Sequence, residues 1–170
     1  MNFRLLLLCC IFLCISNVQA QETTETLLTE AYAKAQAENK NVFVKFEASW
    51  CGWCKRMQTQ MKDSELAPLF DANYVIVTLV TKETKRLKGL ENPGAFELLE
   101  KHKGVKAGLP FWLIFDAKGN LIGDSLDAEG NNLGCPSAVN EVSVFLETLQ
   151  KTSNLSETEL QMIGETFRSE

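Results

Sequence analysis

Four short apolar runs along this chain have the length and β-branched or aromatic content of buried strands. They are residues 42–47, opening Val42-Phe43-Val44-Lys45-Phe46, then 74–80, 111–115 and 121–123. The last two flank residues 116–120, Asp-Ala-Lys-Gly-Asn, which predict a hairpin turn. Between the strands the apolar spacing changes to that of helices. Leu27, Leu28, Ala31 and Ala35 predict a helix over 26–39, and Met57 and Met61 one over 52–62. A new helix start is expected at Ser64, running to Phe70, and another helix over 95–102 behind Asn92-Pro93-Gly94. Val142, Phe145, Leu146 and Leu149 share one face of a helix over 137–151. Ser156 and Glu159 fit a capping box for a last helix, 158–167.

Residues 81–92 read as loop with at most a helical turn. Residues 127–136, rich in Gly and Asn, read as an exposed loop. The resulting order, α-β-α-β-α-β-β-α-α, combines crossover connections with a terminal hairpin. It predicts a three-layer α/β/α sandwich around a mixed sheet.

The start of the chain does not fit this scheme. Arg4 precedes an unbroken apolar run of 11 residues, Leu5 to Ile15, and Val18-Gln19-Ala20 offers small residues for cleavage. That is the pattern of a secretory signal, with cleavage after Ala20. The run is short of the ~20 apolar residues of a spanning helix. A lipid-attachment site is disfavoured, because Leu13 precedes Cys14 where a small residue is wanted. The expected organisation is a signal peptide, 1–20, and one domain, 21–170, with its core over about 25–150 and a helical extension at 153–168.

Removing the signal changes the cysteine count and the charge. Cys9, Cys10 and Cys14 leave, and Cys51, Cys54 and Cys135 remain, too few for a disulfide-stapled scaffold. With Arg4 gone, 16 basic residues face 22 acidic ones, a net charge of −6. No basic run stands out, so nucleic acid is not an expected partner. No later stretch is long and apolar enough for stable membrane insertion, and a monomer is expected.

Cys51 and Cys54 stand in Trp50-Cys51-Gly52-Trp53-Cys54-Lys55, between a predicted strand and a predicted helix. The first cysteine then sits at a helix N-terminus, where unpaired N–H groups and the helix dipole favour a thiolate. A zinc site needs four ligands, and only Cys135, His102 and carboxylates remain to complete one. Haem attachment needs His after the second cysteine, where Lys55 stands. A permanent structural disulfide closes so short a loop that it stabilises little. Dithiol redox chemistry, with no metal and no cofactor, fits the placement better.

Residues 42–55 resemble the active-site segment of the thioredoxin superfamily, and Gly108-Leu109-Pro110 resembles its second signature, the loop ending in a cis-proline. The strand, turn and strand after Pro110 match as well, so the resemblance covers residues 25–150. The chain most resembles secreted bacterial thioredoxin-like proteins with Trp-Cys-Gly-Trp-Cys-Lys. Asn92-Pro93-Gly94-Ala95 and residues 130–136 resemble that group too.

The resemblance implies roles. Cys51 is the exposed nucleophile and Cys54 the buried resolving thiol. Trp50, Gly52, Trp53, Leu109 and Pro110 line the substrate site, with the Leu109 backbone pairing to an extended peptide. Trp50 on its own could equally be a plain core aromatic. Two positions depart from thioredoxin: Trp53 replaces its proline between the cysteines, and Lys45 replaces its buried aspartate. Alternation puts Phe43, Lys45 and Glu47 on one strand face. Either Glu47, paired with Lys45, handles protons near Cys54, or the two form a solvated pair at the strand end. Cys135 is either a partly buried residue without a role or an intermolecular or regulatory thiol. His102, between two lysines, is expected to face solvent.

The function expected is that of an exported thiol–disulfide oxidoreductase, periplasmic or extracellular. It would reduce cysteine-containing exported proteins and be served by an unidentified redox partner. The alternatives are an oxidase or isomerase, and a non-catalytic thioredoxin-fold binding module.

Overall fold

The computed structural model describes residues 21–168; the expected signal peptide, 1–20, lies outside the described residues. Among the described residues eleven elements follow one another. They are α1 (Thr24–Glu38), β1 (Asn41–Glu47), α2 (Gly52–Met61), α3 (Ala67–Asn73), β2 (Tyr74–Val80), a 3-10 helix (Lys85–Leu90) and α4 (Ala95–Lys101). Then come β3 (Phe111–Phe115), β4 (Leu121–Asp124), α5 (Val139–Thr152) and α6 (Glu157–Arg168). The sheet order is β2-β1-β3-β4. β1 runs parallel to β2 and antiparallel to β3, and β4 is antiparallel to β3. This is the mixed, helix-flanked sheet that the alternation of elements predicts.

Strand alternation divides the core into two layers. Val42, Val44, Phe46, Leu113 and Phe115 pack with Ala31 and Ala35 of α1 and Leu99 of α4. Phe43, Trp112 and Ile114 face the other way. They meet Met57 and Met61 of α2, Phe70 of α3, Phe145 and Leu149 of α5, and Ile163 and Phe167 of α6. The last helix is therefore part of the main core, not an appendage to it. Its capping box is formed: the Glu159 N–H donates to Ser156 Oγ, and the Ser156 N–H donates to Glu159 Oε2 at 2.7 Å.

Three sequence expectations are revised. The helix expected from Ser64 begins at Ala67, because Pro68 suits only the first turn, and it runs on to Asn73. Residues 127–136 are not wholly exposed: Leu133 and Cys135 are buried in the main core, drawn down by the Trp112 Nε1–H bond to the Gly134 carbonyl at 3.0 Å. His102 does not face solvent freely. Its ring stands edge-on to Phe115, with centroids 5.6 Å apart. Its Nε2 is buried without a partner among the described residues. Burial first, and Lys101 second, push its pKa below the ordinary imidazole value, with Asp124 opposing.

Candidate active site

β1 ends at Glu47, and four residues, 48–51, turn the chain into α2. The Cys51 N–H donates to the Ala48 carbonyl at 3.0 Å, which closes this turn and makes Cys51 the N-cap of α2. Its backbone is extended, and its Sγ accepts from the Cys54 N–H at 3.1 Å. Cys51 and Cys54 are joined by a disulfide, with Cα atoms 5.3 Å apart. A sulfur at this cap faces the unpaired N–H groups of the first turn, which stabilise negative charge.

Both cysteines are buried, at 3% and 2% exposure, so Cys51 is not the exposed residue that the sequence reading expects. They form a small cluster with Ala48, against which Leu109 packs. What is exposed is the pair of tryptophans. Trp50 is 56% and Trp53 52% exposed, so Trp50 is no core aromatic. Trp50 is fixed by an Nε1–H bond to the Lys82 carbonyl at 3.0 Å, and the Arg56 guanidinium lies 5.3 Å from the Trp53 ring centre. Gly52 opens α2, and a Cβ there would meet nothing within 4 Å.

The loop that faces the disulfide contains the cis peptide Leu109–Pro110. Two side chains, neither signalled by the sequence, hold it. Asn132 Nδ2 donates to the carbonyls of Gly108 and Pro110, at 3.0 Å each. The Leu109 N–H and carbonyl between them take no partner among the described residues. Lys82, with φ of 57°, extends its ammonium to the carbonyls of Gly104, Val105 and Ala107 at 3.2, 2.9 and 2.8 Å. Burial lowers its pKa from the ordinary lysine value. Glu83, which is buried, accepts from the Ser49 N–H and, at 2.9 Å, from its hydroxyl, fixing the turn before Trp50. These residues lie in loops with no periodicity, and their roles exist only once the loops are brought together.

Lys45 and Glu47 share a strand face and form an ion pair at 2.6 Å. The Lys45 side chain is 3% exposed and that of Glu47 22%, so the reading of a solvated pair does not hold. The face they occupy is covered by α2 and the core behind it. Cys135 is buried, and its Sγ donates to Gln60 Oε1 at 3.3 Å. Its thiol is pushed up to about 11, mainly by burial. Arg56 and Lys45 oppose that shift and Glu141 adds to it. A thiol so enclosed is not offered to a second chain, which sets the intermolecular reading aside.

A cleft of about 530 Å³ runs from Trp53 and Leu109 between residues 103–108 and 130–135. No group of three His, Cys, Asp or Glu able to hold a metal ion comes together among the described residues. None of their helices is long and apolar enough to cross a membrane.

A family model described as thioredoxin-like matches residues 23–117. No curated protein matches the chain. Among solved structures, the disulphide isomerase from Xylella fastidiosa Temecula1 is similar with a TM-score of 0.50 and 15% identity, over 89% of this chain and 91% of that one. DsbH oxidoreductase gives 0.47 and 22%, over 76% and 83%. The exposed lipoprotein thioredoxin of Streptococcus pneumoniae gives 0.45 and 21%, over 72% and 88%.

Proposed function

Because the chain belongs to the thioredoxin-like family and its paired cysteines make it a thiol–disulfide oxidoreductase, we propose that it is exported and reduces disulfides of other exported proteins. The observation that carries this is the Cys51–Cys54 pair at the N-terminus of α2, set against the cis Leu109–Pro110 loop. Export rests on the signal pattern of residues 1–20, which leaves one domain, 21–170, in the periplasm or outside the cell.

In the reduced protein the Cys51 thiolate attacks one sulfur of a client disulfide. A Cys51–client mixed disulfide forms, and the other client sulfur leaves as a thiolate that takes a proton. Cys54 then attacks Cys51 Sγ. The Cys51–Cys54 disulfide closes, the second client thiol is released, and two electrons have passed to the client. A dithiol donor returns the pair to the reduced state. Trp50, Gly52 and Trp53 frame the approach, and the Leu109 N–H and carbonyl pair with the client backbone beside Pro110. Glu47, held by Lys45, takes up the Cys54 proton during the second attack. Glu47→Gln then shifts the pH profile of disulfide reduction; an unchanged profile removes Glu47 from the role.

Trapping with Cys54→Ser tests the main reading. Mixed disulfides through Cys51 are expected with exported proteins, and their absence counts against it. A reduction potential near ~−270 mV supports a reductase, whereas one near ~−120 mV makes the protein an oxidase. The burial of both sulfurs favours one rival, a binding module whose disulfide stays closed. A disulfide inert to dithiothreitol would establish that rival.

A further inference from the structure

The cleft beside the disulfide carries a charge opposite to that of the chain. The protein has 22 acidic and 17 basic residues. Yet among the described residues the charged side chains lining the cleft are Lys103, Lys106 and a single carboxylate, Glu141. Glu141 is already engaged: its Oε2 accepts from the N–H groups of Ser137 and Ala138, at 3.0 Å each, and caps α5. Asp127, at the outer edge of the same loop, is likewise committed, to the backbone and side chain of Asn131. Lys103 and Lys106 make no ion pair and no side-chain hydrogen bond among the described residues, and both are exposed. Lys82, which could have added to them, is held by three carbonyls.

The cleft also begins where a client cysteine must arrive. Trp53 and Leu109 are among its lining residues, and Leu109 packs against the cluster of Ala48, Cys51 and Cys54. Asn132 occupies the carbonyls on either side of Leu109 and leaves the Leu109 peptide group open. Lys103 and Lys106 line the same cleft as Leu109.

We infer that this cleft selects an extended client segment carrying acidic residues on one side of its reactive cysteine, with Lys103 and Lys106 as the specificity-determining residues. The inference rests on the oxidoreductase reading above. The two cations have no partner among the described residues, and a client carboxylate meets them without displacing an internal bond. The same charges disfavour a segment with basic flanks. The exchange step itself is unchanged; the lysines act on encounter and on the lifetime of the bound segment.

The test uses the reduced full-length mature protein and three probes: hydroxyethyl disulfide, and two disulfide-bonded peptides of equal length whose flanks are acidic in one and basic in the other. Oxidation of the protein is followed in single turnover. Two exposed ion pairs predict that the acidic peptide reacts about three- to tenfold faster at low ionic strength. The advantage shrinks when salt shortens the screening length to a few ångströms. In the Lys103→Gln/Lys106→Gln variant the acidic-to-basic ratio falls below about twofold. Equal rates for the two peptides overturn the inference, as does a preference that survives in the double variant. If hydroxyethyl disulfide is not reduced, the oxidoreductase reading itself fails, and the inference with it.

Discussion

Lys45 is a cation sealed under α2 with one counter-charge, Glu47, at 2.6 Å. Breaking such a pair leaves an uncompensated charge in the core, whereas replacing both partners by neutral groups is often tolerated. Glu47 keeps some contact with water, which softens the effect. Glu47→Gln is therefore expected to lose about 1–3 kcal/mol in urea unfolding, and Lys45→Met/Glu47→Gln to recover most of it. A double variant as unstable as the single would show that the pair is not what holds the site. Cys135 gives a second test at this scale. With its thiol pushed up to about 11 and the residue 5% exposed, it stays protonated and enclosed at neutral pH. In alkylation of the reduced protein at pH 7, Cys135 should react only after unfolding; Cys51, no more exposed, is set apart by its place at the N-cap of α2, which favours a thiolate. Rapid labelling of Cys135 in the native protein would contradict its burial. The cysteine pair was legible in the sequence because its spacing and flanks are local. The burial of Lys45 was not: alternation tells which face a residue shares, but not whether distant helices cover that face.

At the scale of elements, the loop opposite the disulfide is held by side chains from two other loops. Asn132 makes two hydrogen bonds to it and Lys82 three to the segment leading into it. At roughly 1 kcal/mol net per bond, Asn132→Ala should destabilise the fold by about 1–2 kcal/mol. It should also raise KM for a peptide disulfide about fivefold, with kcat little changed, because Asn132 orients the Leu109 peptide without touching reacting atoms. A fall in kcat with constant KM would place Asn132 elsewhere in the mechanism. Pro110 was legible as a signature, but a Gly- and Asn-rich stretch gives no sign of which amide will turn inward. The end of α4 carries a different liability. His102 has its pKa lowered in the fold, chiefly by burial, so below the unfolded imidazole value of ~6.5 the unfolded state binds more protons. Stability is then lost as pH falls through and below that value, and His102→Phe should flatten this part of the pH–stability curve. A curve unchanged between pH 7 and 5 would show that the ring stays hydrated.

The whole molecule ties the redox motif to its last helix. The strands and most helices were readable from periodicity, caps and turn residues, but a segment beyond residue 150 read as an extension. Nothing local tells a surface helix from one that completes a core. In the fold, Phe167 is fully buried against Phe145, with ring centres 5.0 Å apart, and against Phe70 at 6.5 Å. Polar links follow the same route. Gln60, on the helix that begins at Cys51, donates through Nε2 to the Thr166 carbonyl at 3.1 Å and accepts the Cys135 thiol on Oε1. One side chain of α2 thus joins α6 to the loop that lines the cleft. Phe167→Ala removes a large buried ring from this junction. It should lower stability by about 3–5 kcal/mol in urea unfolding. Because the cavity opens beside Gln60, it should also make Cys135 alkylate in the native state faster than in the parent protein. A loss below about 1 kcal/mol with Cys135 still protected would mean that α6 is dispensable to the core. The redox motif would then rest on the first 150 residues alone.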